Sequence, residues 1–153
     1  MPRIKLGDVI EVATPVGLAY AQFINRHAEF GALIRVFSGQ HPARPTRVCD
    51  VALGDVQFLT FFPLQAAVNK DIVAVVGNCP IPTEAAEFPI FRAGVADPKT
   101  GKVNVWWLWD GEREWRVGTL TPEQRRLSFR AVWNDTMLID RIVAGWRPET
   151  DPR

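Results

Sequence analysis

Four of the six tryptophans fall between residues 106 and 115, interleaved with acids and arginines. Val105-Trp106-Trp107-Leu108-Trp109 precedes Asp110-Gly111, and Glu112-Arg113-Glu114-Trp115-Arg116-Val117 follows. Asp-Gly between two strand-like runs is a strong hairpin signal, because Gly supplies the positive φ of a tight turn. A two-residue turn pairs Trp109 with Glu112 and Trp106 with Trp115. One face then carries Trp106, Leu108, Arg113, Trp115 and Val117, which is mostly apolar and is expected to meet the core. The other carries Val105, Trp107, Trp109, Glu112, Glu114 and Arg116.

That second face suggests three chemistries. Exposed Trp beside Glu and Arg is the composition of a protein-interface hot spot. Trp107, Trp109, Glu112, Glu114 and Arg116 are therefore candidate partner-binding residues. The same indoles suit stacking on a sugar, which makes a small-ligand or carbohydrate-binding module the alternative. A third reading is a Glu-dependent hydrolase. Glu112 and Glu114 lie two apart on one strand, with Cα atoms about 7 Å apart, which resembles glycosidase carboxyl spacing. Such enzymes draw their acids from opposite sides of a bond, and two neighbours on one hairpin more often form a solvated rim. The structural alternative to all three is that Trp107 and Trp109 are core residues under the C-terminal helix.

The remaining reactive residues are sparse. Cys49 and Cys79 are 30 positions apart and form no close metal-ligand pair. A zinc site with His27 and His41 would need four scattered loops to converge. A disulfide is possible, but a cytosolic chain of this size is expected to keep both thiols reduced. G-x-S-x-G, H-E-x-x-H and a phosphate-cradling glycine loop are all missing. No catalytic residue, metal or cofactor is expected.

The 153 residues suit a single domain over 1–147, with 148–153 as a frayed polar tail. Lys plus Arg is 18 against 17 for Asp plus Glu, and neither half of the chain is basic or acidic, which argues against nucleic-acid binding by bulk charge. No stretch approaches the ~20 apolar residues of a membrane helix. The N-terminal residues lack the pattern of a secretory signal, so a cytoplasmic protein is expected.

Strand signals dominate the first two thirds. The runs 7–12, 18–24 and 31–37 are joined by tight connections and read as a β-meander. Within the second, Leu18, Tyr20 and Gln22 face one way and Ala19, Ala21 and Phe23 the other. Residues 38–47, with two prolines and a glycine, form the most mobile-looking loop. Val56 to Phe62 alternates as a strand, and Leu64 to Asn69 suits one helical turn. The continuous apolar run Ile72 to Val76 suits a strand buried on both faces. Phe88 to Arg92 contains Pro89 and belongs at a sheet edge. Thr121-Pro122-Glu123-Gln124 is a capping box opening a short helix. Asn134 caps a second helix, Gly145 closes it, and Trp146 is expected to pack back. The whole is mainly β (α+β), as a curled antiparallel sheet or small SH3-like barrel with two short C-terminal helices.

The opening Gly7-Asp8-Val9-Ile10-Glu11-Val12, followed by Gly17-Leu18-Ala19-Tyr20-Ala21-Gln22-Phe23, resembles a bacterial immunity-protein family of polymorphic toxin systems, the family numbered twenty-six. Members open with a G-D-V/I strand and continue into a strand carrying Y/A-G-R or a similar tripeptide. Here Ala21 and Gln22 stand at its second and third positions. The resemblance implies a mostly β stoichiometric inhibitor that binds a cognate toxin domain, and it carries over no binding residues.

Overall fold

Turn chemistry and strand alternation set out the larger of two sheets. In the computed structural model, which describes residues 3–153, β1 (Asp8–Thr14), β2 (Gly17–His27), β3 (Gly31–Phe37), β4 (Val56–Phe61) and β5 (Ala74–Asn78) form an antiparallel sheet in the order β4-β3-β2-β1-β5. Thr14 closes the first turn, its hydroxyl donating to the Gly17 carbonyl (2.7 Å) and accepting from the Val16 N–H (3.2 Å). A smaller antiparallel sheet holds β6 (Phe91–Ala93), β7 (Trp106–Trp109) and β8 (Glu114–Gly118) in sequence order. The mainly β architecture agrees with the sequence, and both sheets stay open rather than closing into a barrel.

Period-two alternation splits the large sheet into two unlike faces. Ile10, Val12, Ala19, Ala21, Phe23, Ile34, Val36 and Phe58 line the first. Two helices join that cluster, α1 (Leu64–Asn69) through Leu64 and Ala67, and α3 (Asp135–Val143) through Leu138 and Ile142. The single helical turn α2 (Thr83–Ala86) lies between β5 and β6. Asn134 caps α3 by accepting the Met137 N–H at 2.8 Å, and Gly145 ends it at φ +65°. Trp146 does pack back, against Phe58, Phe129 and Trp133. The Thr121–Gln124 capping box also forms, opening a 3₁₀ turn over Gln124–Arg126.

The second face is mixed. Val9, Tyr20 and Phe37 pack there with Val51, Ala52 and Cys79. Between them, cross-strand neighbours form polar pairs. Glu11 lies opposite Tyr20, and Gln22 opposite Arg35. The Tyr20 hydroxyl donates to Glu11 Oε2 (2.8 Å), which also accepts from Arg44 Nε (2.8 Å). Burial, then the bond to Glu11, push the Tyr20 phenol up to about 12. Tyr20 is the sole tyrosine, so the folded protein should develop its tyrosinate absorbance near pH 12 rather than near 10. The folded state holds this proton more tightly than the unfolded chain. Its contribution is therefore fully present below pH 10 and lost as pH rises through about 12. A midpoint near 10 in still-folded protein would contradict this environment.

Four expectations are corrected here. Ile72 to Val76 does not give a doubly buried strand; β5 starts at Ala74 and is a largely exposed edge, with Val75 outward. The loop 38–47 is anchored, not loose: His41 exchanges backbone hydrogen bonds with Leu18, and Arg44 pairs with Glu11. The C-terminal helix covers the large sheet and not the tryptophan hairpin. The tail is docked rather than frayed. Buried Asp151 accepts from the Trp146 indole N–H (3.1 Å) and from the Arg153 guanidinium (2.9 and 3.0 Å). Burial by itself would raise that carboxyl, but these donors together hold it well below the usual carboxylate range. Fully buried Arg92 reaches the same region, donating to the carbonyls of Arg125 (3.0 Å) and Pro148 (2.9 Å) and stacking on Phe129. Among the described residues no helix is long and apolar enough to cross a membrane.

Candidate functional site

The hairpin forms, but with a longer turn than Asp-Gly alone implies. Trp109 pairs with Glu114, Leu108 with Trp115 and Trp107 with Arg116, leaving 110–113 as the turn. Asp110 explains the difference. Its carboxylate accepts the N–H groups of Glu112 (2.9 Å) and Arg113 (2.8 Å), an Asx-type closure that competes with a two-residue turn. The backbone N–H groups, that of Arg113 first, lower the Asp110 carboxyl. The register is shifted by two residues from the expected one. An even shift preserves the faces, so Trp107, Trp109, Glu114 and Arg116 still share one side.

Their environments differ. Trp107 is 37% exposed, whereas Trp109 is only 5% exposed and is not available to a partner. Trp109 lies among Phe30, Phe61, Phe88, Phe91 and His27, at ring-centroid distances of 4.9 to 6.1 Å. Glu112 sits in the exposed turn, not on a strand, so the pair of acids two apart on one strand does not exist. Glu114 is engaged by Arg130 at 2.8 Å, and that guanidinium also lies over Trp109. Arg116 is exposed beside Trp107. On the opposite side Trp115, expected to face the core, is 38% exposed.

What remains on the Trp107 side is a groove of about 570 Å³, lined by Val95, Asn104, Val105, Trp107, Glu114 and Arg130. It offers one indole wall, one highly exposed apolar residue in Val95, and an ion pair at its edge. His27 holds the hairpin in place. Its Nδ1 accepts the N–H groups of Glu29 (3.1 Å) and Phe30 (3.3 Å), so Nε2 carries the proton donated to the Gly111 carbonyl at 2.8 Å. Gly111 has φ +101°, and a Cβ there would come within 2.7 Å of the Phe88 ring. These contacts can bind and orient a planar or apolar group. They bring no acid, base and nucleophile together.

Cys49 and Cys79 are joined in a disulfide, which corrects the expectation of reduced thiols. The 3₁₀ helix Val48–Leu53 packs on the mixed face of the large sheet, next to the end of β5. That packing brings the two Cα atoms to 5.6 Å. Among the described residues no cluster of metal-ligating side chains forms.

A second polar feature escaped the sequence reading. Arg35 is 6% exposed and Gln22 fully buried. Gln22 Oε1 accepts from Arg35 Nε (2.9 Å) and Nη2 (2.7 Å), and Gln22 Nε2 donates to the Cys79 carbonyl at 2.9 Å. Arg35 Nη2 also donates to the Ala52 carbonyl at 3.2 Å. The available signal was one arginine inside the apolar run Gly31 to Phe37, on the side of the sheet that Gln22 shares. The chain matches no family model, no curated protein and no solved structure.

Proposed function

We propose that this protein is a binding protein that captures another protein through the Trp107 groove. The observation that carries this reading is Trp107 itself, an indole more than one-third exposed on a hairpin held by His27 and flanked by the Glu114–Arg130 pair. Interface hot spots are enriched in Trp and Arg: Trp buries a large area with only two torsions to fix, and Arg offers several donors in a planar fork. The resemblance of the opening strands makes the partner a toxin domain and this chain its stoichiometric inhibitor. Disulfides persist in oxidising compartments and are rare in the cytosol. The Cys49–Cys79 bond therefore favours an oxidising compartment over the cytoplasmic one expected from the N-terminal residues.

The test is the affinity for candidate toxin domains, those encoded by neighbouring genes first, with and without Trp107→Ala. The variant should lose about 30-fold in affinity, the ~2 kcal/mol of a hot spot, while staying folded at the temperature of the measurement. No complex at micromolar concentration, or an unaltered affinity, removes the reading. A sugar is the second reading, favoured by the polar atoms of Asn104 and Glu114 beside the indole and by a groove volume within the range of ligand sites. A glycan titration that shifts Trp fluorescence in the wild type but not in Trp107→Ala would decide for it.

A further inference from the structure

Arg35 forms part of a second concavity, a cleft of about 590 Å³. Its apolar walls are Ile24, Leu53, Leu59, Pro82 and Pro89. Nε and Nη2 of Arg35 are occupied by Gln22 and Ala52, while Nη1 has no hydrogen-bond partner among the described residues. No carboxylate pairs with this guanidinium among the described residues. The guanidinium lies over the Phe37 ring (4.9 Å to its centroid) but has no counter-ion, and Nη1 is left to receive an anionic ligand group.

The rim carries the opposite charge. Glu84 and Glu87 line the cleft, are exposed, and make no ion pair or side-chain hydrogen bond among the described residues. Asp55, the third acid at the cleft, is already taken by Arg147 and Ser38. A simple anion would be repelled by this rim, and a simple cation would leave Arg35 uncompensated. A molecule with both charges and an apolar body satisfies every wall.

We infer that the cleft over Arg35 is a binding site for a free amino acid with an apolar side chain, its carboxylate on Arg35 Nη1 and its ammonium at Glu84 and Glu87. The side chain lies against Leu53 and Leu59. Leu53, 84% exposed, gains cover when the cleft fills. Burial lowers the Arg35 guanidinium and the charge of Glu84 opposes that, which agrees with Glu84 facing Arg35 across an open gap.

Calorimetric titration with leucine, isoleucine, methionine and phenylalanine tests this. At least one should bind with a Kd below about 1 mM. For the tightest, the matching amine without its carboxylate and the matching acid without its amine should each bind at least about tenfold more weakly. Glu84→Gln/Glu87→Gln changes two exposed residues, so it should keep the melting temperature. It should weaken the amino acid about tenfold or more and leave the deaminated acid no weaker. Arg35→Met should remove binding of both. No binding heat from any of the four up to about 10 mM overturns the site, as does equal affinity for the decarboxylated amine or an unaffected double variant. The cleft and the Trp107 groove share no lining residue, so Trp107→Ala should leave these titrations unchanged and the two readings fail separately.

Discussion

Reducing the Cys49–Cys79 bond should lower the unfolding free energy by about 3–4 kcal/mol, the chain-entropy value for a loop of this length. The bond links residues 30 apart, so the oxidised unfolded chain is deprived of a sizeable loop's freedom. It also ties the 3₁₀ helix Val48–Leu53, which packs on the large sheet through side chains, to the end of β5, where the Cys79 N–H donates to the Gly7 carbonyl (3.0 Å). Gln22 grips the Cys79 carbonyl, and Arg35 grips that of Ala52, three residues past Cys49. Urea unfolding of oxidised and reduced wild-type protein gives the difference without creating a cavity at buried Cys79. For a domain near 150 residues the same effect lowers the melting temperature by roughly 10 °C. A difference under about 1 kcal/mol would show that packing and hydrogen bonds hold the two segments without the bond.

Trp109→Ala is expected to cost about 3–5 kcal/mol, in the upper range for loss of a buried aromatic. Phe61 on β4 and Phe30 in the turn before β3 contact it from the large sheet, and Phe88 before β6 and Phe91 on β6 contact it from the small one. Without the indole, β6, β7 and β8 lose a main anchor to β4. Hydrogen exchange should therefore accelerate in the small sheet more than in β1 to β3. Trp107→Ala, two residues away on the same face, should cost well under half as much, because its ring is already partly in water. Equal costs at the two positions would mean that the burial difference between them is not real in solution.

The contrast between these neighbours shows what could be read from sequence. Local chemistry was legible. Thr14 to Gly17, the Thr121 box, the Asn134 cap and Gly145 each depend on residues within four positions of one another. Strand parity was legible as well, which is why Gln22 and Tyr20 were correctly placed together. The turn after Trp109 was misread because Asp110 can close either a tight hairpin or an Asx loop, and the composition alone does not choose between them. The burial of Trp109 depends on rings from positions 30, 61 and 88, and the disulfide depends on β5 returning to β1. Neither is encoded in any short window. The missing counter-ion of Arg35 belongs to the same class, since it depends on which side chains the distant chain brings near the guanidinium.

The strand order also has a consequence for the growing polypeptide. β1 to β4 adjoin one another and can pair while translation is still in progress, whereas β5 completes the far edge only after residue 74. The apolar face of that early meander is completed later still, because Trp133, α3 and Trp146 are made after β5. Until residues 133–146 have left the ribosome, that face has only α1 as cover and Phe58 lacks the rings of Trp133 and Trp146, so nascent chains halted before that point should be clients for chaperones.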